Sequence, residues 1–489
     1  MKPIGRVLSA SGEYLNDRVE VTLFKGERVY KGEYLYVEVD GRKIFLQVEL
    51  NPIRRPTSSY DDKLVRDGLA KRDMERETWK AVCWQVGYEE DGQIQPHLFP
   101  IPPLIDVYRP TPEELERFLS PPELSIRVGT IYPTDTPLRL GLRTLLRQGL
   151  LDCGGVGTGK TTLLLTILMG LLTQTPRDQP THLLVVDWDG EFNVPGLAEA
   201  AKRKGGYARI EAPFRVAREV RIAPREFYDK VRKMLGLSPQ SREARALYAV
   251  LMRRQERNET LTWDRETYLN IISEIESSDI RGSLEEKTET LFGGVEAGKG
   301  IDLIELVSKN SLVHLDFSNV DGWDEIIFST RDALEVCYHE ARANPRFGVA
   351  VFIDEVHNFA PQAPHEAPAS REAYEAMLPV MKLLATTGPR NKIPLLVATQ
   401  RLSEVDKVVS TQMGQNIFAF RVEDIDLERL RGIMGQVADV ARMLPRGHAI
   451  FKGHAIKVRS PVISVIDKVV EPASVRKDIL SAWRESWRR

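Results

Sequence analysis

Gly154-Gly155-Val156-Gly157-Thr158-Gly159-Lys160-Thr161 fits the pattern G-x-x-x-x-G-K-[ST]. Glycines at this spacing let backbone N–H groups turn inward around phosphate oxygens. The ammonium of Lys160 then reaches the β/γ-phosphates, and the Thr161 hydroxyl offers a ligand to Mg²⁺. The residues expected to cradle a nucleotide are Gly155, Val156, Gly157, Thr158, Gly159, Lys160, Thr161 and Thr162. A short strand at 149–153 runs into this loop and an apolar helix at 161–172 leaves it. That strand–loop–helix context makes the pattern a phosphate site and sets the fold class as α/β.

A second stretch completes the chemistry. The apolar run Val349-Ala350-Val351-Phe352-Ile353 ends in Asp354-Glu355, which predicts a buried strand delivering two carboxylates to its C-terminal end. Asp354 is placed to hold the metal, and Glu355 to orient or deprotonate a water. Open α/β sheets bind ligands beyond the carboxyl ends of their strands. Two further strand ends therefore matter. His182-Leu-Leu-Val-Val186 closes on Asp187-Trp-Asp-Gly-Glu-Phe192, where Asp187 is expected to support the metal. The strand at 394–398 ends in Thr399-Gln400-Arg401, where the Gln400 amide is expected to sense the γ-phosphate. A guanidinium on the transferred phosphoryl group stabilises its charge. Arg147, before the P-loop strand, and Arg390, in Gly388-Pro-Arg-Asn-Lys392, are the candidates.

Working outward, the N-terminal part reads as β. Val19, Val21 and Leu23 alternate with polar residues, and Asp40-Gly41 separates strand-like runs at 34–39 and 44–48. An Asp-Gly pair there marks a type I′ hairpin. Further strand character at 81–86 and 93–99 predicts a small β-barrel or sandwich over 1–108, with a charged excursion at 52–78 and a proline-rich exit near Pro102-Pro103 and Arg109-Pro110-Thr-Pro112. An ATPase-type core follows in two parts, 120–223 and 299–470. Between them 224–298 is helical, with Ser238-Pro239 as the expected cap, Leu247, Val250 and Leu251 on one face, and Leu269, Ile272 and Ile275 on another. Strands are expected at 312–317, 349–353, 394–398 and 417–420, with helices over 323–341 and 369–386. The tail reads as strands at 449–451, 455–458 and 462–466, then a helix over 474–487 inside a C-terminal segment 471–489.

The chain has 489 residues, a formal net charge of −2 and three cysteines. Near-neutrality excludes a bulk electrostatic footprint for nucleic acid, so any such surface is local. Cys83, Cys153 and Cys337 lack metal-ligand spacing and read as small buried hydrophobes of a reducing compartment. No signal peptide or membrane span is visible, which predicts a cytoplasmic protein.

The motifs taken together resemble the HerA branch of the FtsK–HerA DNA-pumping ATPases. The resemblance lies in GGVGTGKTT, in Val185-Val-Asp-Trp-Asp-Gly-Glu-Phe192, in Ile353-Asp-Glu-Val-His-Asn-Phe-Ala-Pro361 and in Ala398-Thr-Gln-Arg-Leu-Ser-Glu-Val-Asp-Lys407. It implies a RecA-like core with a mainly parallel sheet, a HAS-type N-terminal β-barrel, an inserted helical bundle and a C-terminal strap. It further implies ATP and Mg²⁺ as cofactors, a homo-hexameric ring threading double-stranded DNA, and a NurA-type nuclease as partner in DNA end resection and repair. By position, Arg390 matches the family's cis arginine, and Arg147 falls one residue from its trans arginine. Leu402 stands where proline is frequent, and Trp188-Asp189 where Pro-His is common. A different expectation is a ring-shaped ATPase scaffold that gates a partner effector and translocates little. A small-molecule kinase is disfavoured by Glu355 and by the inserted helices.

Overall fold

Asp40 and Gly41 adopt φ of 50° and 75°, the two left-handed residues that a type I′ turn requires. In this computed structural model the described residues are 2–8, 18–49, 79–214, 216, 221–257, 259, 261–262, 265–288, 291, 300–363 and 368–473. The expected excursion at 52–78 and the expected helix at 474–487 lie outside them. Contacts divide the chain into two units. One is Met1–Gln179 with Leu396–Ser403 and Ser410–Arg489; the other is Pro180–Leu395 with Glu404–Val409.

In the first unit the hairpin belongs to a closed barrel. Its strands are β1 (Gly5–Val7), β2 (Arg18–Leu23), β3 (Tyr34–Val39), β4 (Arg42–Val48) and β5 (Lys80–Glu90). β6 (Gln93–Gln95) and β7 (Asp106–Tyr108) follow. Six strands run β2-β1-β7-β3-β4-β5, and β2 pairs back onto β5. Closure leaves no unpaired edge around the ring. Alternate residues of each strand point inward, so Val21, Leu35, Val37, Leu46, Cys83 and Val107 form one core. β6 is a short extension of β5. The strand expected to continue to 99 stops at Gln95, because Pro96 has no N–H to donate, and Leu98 and Phe99 are left exposed. The proline-rich exit then gives way to a helix, Pro112–Leu119, closed by a capping box between Thr111 and Glu114.

The remaining strands of the chain are β8 (Ser125–Ile131), β9 (Pro137–Gly141), β10 (Leu150–Cys153), β11 (Leu183–Asp187), β12 (Tyr207–Glu211), β13 (Arg221–Ile222) and β14 (Leu261–Thr262). After them come β15 (Leu312–Asp316), β16 (Ala350–Ile353), β17 (Leu395–Thr399), β18 (Asn416–Ala419), β19 (His448–Gly453) and β20 (Val462–Ile466). In the first unit they are ordered β17-β10-β18-β19-β20-β8-β9. β10 is parallel to both β17 and β18, and the rest of this series is antiparallel. The hairpin β8–β9 is not anticipated by the sequence reading. A strand expected at 455–458 is absent. There Asn416 Oδ1 accepts the His454 and Ala455 N–H groups, and Leu119 O accepts that of Lys457, so these donors serve a side chain and a loop rather than a ladder.

In the second unit the order is β12-β15-β11-β16, all parallel. Every residue of β11, β15 and β16 is buried, as is every residue of β10 and β17 in the first unit. Strands covered on both faces carry unbroken apolar runs rather than alternation, which is why they were readable. The second unit also holds the helices Pro224–Met234, Arg242–Glu256, Arg265–Ser273 and Ser278–Glu286. Their core is Phe227, Val231, Leu247, Leu251, Tyr268 and Ile271. Two details differ from expectation. Ser241, not Ser238, caps its helix by accepting the Ala244 N–H. Ile272 and Ile275 are buried as expected, but Leu269 is exposed and Tyr268 and Ile271 turn inward in its stead.

Candidate nucleotide site

The loop after β10 is shaped by its glycines and by Phe420, which follows β18. Gly157 adopts φ of 68°, and Gly159 adopts 127° with an added Cβ falling 2.9 Å from the Phe420 ring. A side chain at Gly159 would meet both an unfavourable backbone conformation and an aromatic wall. The Gly155 N–H donates to Arg421 O at 2.8 Å, and the Gly447 N–H to Thr158 O at 2.9 Å. The Thr158 hydroxyl closes on Gly155 O at 2.8 Å, and the buried Lys160 ammonium donates to the same carbonyl at 3.1 Å. The loop is thus pinned from outside, with Val156 exposed at its tip. The helix Lys160–Thr173 then carries Thr161 and Thr162 in its first turn. It is apolar on every side, with Leu163, Leu164, Leu165, Ile167 and Leu168 fully buried. A helix buried all round is anchored by the core instead of by one amphipathic face, so its N-terminus is a fixed platform.

Gln400 follows β17 directly and is half-buried. β17 lies parallel to β10 with Cys153 opposite Thr399. Gln400 and Gly154 therefore leave neighbouring strands at the same edge. Arg147 is exposed in the last turn of the helix Leu142–Gln148, ahead of β10. β10 separates it from the loop by four residues, about 13 Å of strand. Arg390 is likewise exposed, in the turn Pro389–Asn391 ahead of β17. The five residues of β17 span about 17 Å between its turn and Gln400.

In the second unit, the last paired residues of β11 and β16 are Val186 and Ile353, so Asp187 and Asp354 stand one step beyond on adjacent strands. Both are buried. Asp187 is already engaged by three donors or partners: the Gly190 N–H at 2.9 Å, the Phe192 N–H at 3.1 Å and His314 Nε2 at 2.8 Å. His314 in turn meets the Tyr207 hydroxyl at 3.1 Å. This relay fixes the turn Asp187-Trp-Asp-Gly-Glu-Phe192 from behind, and Asp187 serves it as a strut. Neither Tyr207 nor His314 was singled out from the sequence. The available signal was a histidine inside the otherwise apolar run Leu312-Val-His-Leu.

Asp189 sits on the same turn. Burial, then the charges of Asp187, Asp354 and Glu191, push its carboxyl up to about 8. Negative charge is crowded here, a setting that favours a cation. Glu355 is buried in left-handed backbone at φ 50°, ψ 51°, its N–H bonded to Asp354 Oδ1 at 2.8 Å. A non-glycine residue held this way stores about 1–3 kcal/mol and is retained only where the surroundings demand it. Its carboxylate lies 3.3 Å from His357 Nδ1. Among the described residues no group of three or more His, Cys, Asp or Glu side chains could hold a metal ion. The Thr161 hydroxyl in the first unit and the Asp354 carboxylate in the second are each the kind of single oxygen donor that suits Mg²⁺, which keeps its waters and leans on substrate phosphates instead of a protein cage.

A profile of the ATPase family associated with various cellular activities (AAA) matches residues 290–421, a span that includes Asp354, Glu355, Arg390 and Gln400. The curated proteins give no match. Among solved structures the chain is similar to VirB4 of Thermoanaerobacter pseudethanolicus, with 14% identity over 70% of this chain and 96% of that one, at a TM-score of 0.47. It is similar to the bacterial conjugative coupling protein TrwBdeltaN70, with 12% identity over 74% and 93% and a TM-score of 0.45. The genome packaging NTPase B204 of Sulfolobus turreted icosahedral virus 2 gives 11% identity over 64% and 96%, with a TM-score of 0.30. No helix among the described residues is long and apolar enough to cross a membrane. With its P-loop built on β10 and its ATPase-family match, the chain is an α/β P-loop ATPase that binds and hydrolyses ATP, preceded by a closed barrel.

Proposed function

We propose that this ATPase is a motor of the FtsK–HerA superfamily, a HerA-type translocase that drives double-stranded DNA through a homo-hexameric ring in the cytoplasm. Its partner is a NurA-type nuclease, and its task is the resection of broken DNA ends. What supports the reading is one coincidence. Four motifs of that family each stand at the C-terminal end of a parallel strand of this chain: the P-loop after β10, Asp187-Trp-Asp-Gly-Glu-Phe192 from the last residue of β11, Asp354-Glu355 after β16 and Thr399-Gln400-Arg401 from the last residue of β17.

In the working cycle the loop 155–162 cradles the phosphates and Lys160 neutralises the β- and γ-oxygens. Thr161 and Asp354 would hold Mg²⁺, with Asp187 in support, and the ion would draw charge from the leaving phosphate oxygens. Glu355 orients the attacking water and accepts its proton. Gln400 reports an intact γ-phosphate to the strand that carries it. Arg147 and Arg390 each precede a strand whose far end carries the nucleotide motifs. An arginine side chain is shorter than that strand, so we assign both to the phosphates of a neighbouring copy, as ring ATPases supply an arginine in trans. That replaces the cis role expected for Arg390. A near-neutral chain grips the duplex through local basic loops on phosphates, which suits a motor that must pass any sequence.

The deciding experiment measures ATP turnover with and without linear duplex DNA, together with displacement of a triplex-forming strand. Stimulated turnover and triplex release are expected. Turnover that ignores DNA of every length would leave a nucleotide-gated scaffold in place of a motor.

A further inference from the structure

Of the stretch Thr399-Gln-Arg-Leu-Ser-Glu-Val-Asp-Lys407, the catalytic cycle employs only Gln400. Its last residues have a separate place in the fold. Glu404–Val409 belong to the second unit, while the residues on either side, Leu396–Ser403 and those from Ser410, belong to the first. Within the second unit this short strip lies against the turn that follows β16. Pro361 and Val405 form an isolated antiparallel bridge. The Gln362 N–H donates to Glu404 O at 2.6 Å, and the Asp406 N–H to Ala360 O at 2.8 Å. At its other end the turn is closed by its own backbone. Glu355 O accepts the Asn358 N–H at 2.9 Å, and Val356 O accepts those of Phe359 and Ala360 at 3.0 and 2.9 Å. Val356, Phe359, Ala360 and Val405 are all fully buried. A turn bonded at both ends has few other conformations to adopt.

Asp406 secures the strip. Its carboxylate is buried and engages two further elements. Oδ1 accepts the Val408 N–H at 2.9 Å and the Val409 N–H at 3.2 Å, which fixes the start of the helix Lys407–Met413. Oδ2 pairs with Lys382 Nζ at 3.0 Å, from the helix Arg371–Thr387. Capping a helix requires neither burial nor a cation from a second helix. A buried carboxylate with charge-assisted bonds on both oxygens is a fixed point. Glu355 needs one. Its left-handed backbone persists only where the surroundings over-determine it, and an error of about 1 Å in placing a catalytic group costs about 100-fold in rate. We propose that Asp406 is a positioning residue for Glu355. It anchors the strip 404–406 on Ala360–Gln362, and the strip holds the Glu355 turn in the geometry that orients the attacking water. The inference rests on the catalytic role proposed for Glu355.

The test is a double-mutant cycle on the full chain, read by steady-state ATP turnover of the wild type, Asp406→Ala, Glu355→Gln and the double variant. Asp406→Ala should lower kcat about tenfold and leave KM for ATP within about twofold, because the residues that bind nucleotide are untouched. In the Glu355→Gln background the same substitution should change the residual turnover by less than about twofold, since the group it positions is already gone. Should Asp406→Ala fail to fold, Lys382→Met takes its place in the cycle, at a side chain 39% exposed. It should lower kcat about threefold, again at unchanged KM and again only where Glu355 is present. Losses that multiply in the double variant, a raised KM at unchanged kcat, or unchanged kinetics would each overturn the inference while the role of Glu355 stands. Wild-type turnover in Glu355→Gln alone would remove both.

Discussion

At the scale of single residues, the acidic strand ends divide their labour by what already holds them. Glu355 is buried, in left-handed backbone, and beside His357. Glu355→Gln keeps size and shape while removing the group that accepts a proton. ATP affinity should stay near wild type and turnover should fall by about 100-fold or more, read by nucleotide binding and phosphate release in parallel. Wild-type turnover in that variant would take Glu355 out of the mechanism. His314 has a different part. It bridges Tyr207 and Asp187 inside the second unit with 1% of its side chain exposed. His314→Leu strips a buried partner from each, so denaturant unfolding should show a loss of about 1–3 kcal/mol. No change in stability would mean that the strut behind the Asp187 turn is dispensable.

At the scale of elements, what the sequence revealed depended on whether an element's signal was local. The strands β10, β11, β15, β16 and β17 are buried throughout and announce themselves as apolar runs with acids or glycines at the exit. The β3–β4 hairpin announces itself through Asp40-Gly41. Missed or displaced elements owe their form to distant partners. The stretch 455–458 has strand-like residues, yet Asn416 and Leu119 take its donors. The β8–β9 hairpin holds its place through pairing with β20, which is remote in sequence. The cap near 240 shows the local limit. Ser238 and Ser241 both suit an N-terminus, and only the geometry of the helix Arg242–Glu256 decides between them. Ser241→Ala should therefore cost about 1 kcal/mol, whereas Ser238→Ala should be close to neutral. Equal losses from the two substitutions would move the helix start three residues forward.

At the scale of the whole molecule, the three cysteines mark three separately built regions. Cys83 lies in the barrel core, Cys153 ends the strand before the P-loop, and Cys337 faces inward from the helix Trp323–Ala343. All are buried. Burial raises each thiol above its usual range, Cys337 up to about 12, with the Asp152 charge adding to the rise at Cys153. Only the thiolate attacks a disulfide reagent. The native chain should thus react negligibly at pH 8, and moving to pH 9 should still leave almost no thiolate, while denaturant should release three thiols per chain. Labelling of the native protein then reports opening, region by region. A chain with several cores need not unfold in one step, and nucleotide binding stabilises only the states that keep its site. At about 100 times the dissociation constant that amounts to roughly 2.7 kcal/mol, or about a hundredfold in the population of the opened form. ATP with Mg²⁺ should accordingly slow labelling of Cys153 by up to about that factor, because the next residue begins the phosphate loop. Cys83 should label at an unchanged rate if the barrel opens on its own, read by mass spectrometry of the individual peptides. Equal protection at both sites would make the barrel and the P-loop sheet a single cooperative body, and no protection at Cys153 would remove the nucleotide from the loop after β10.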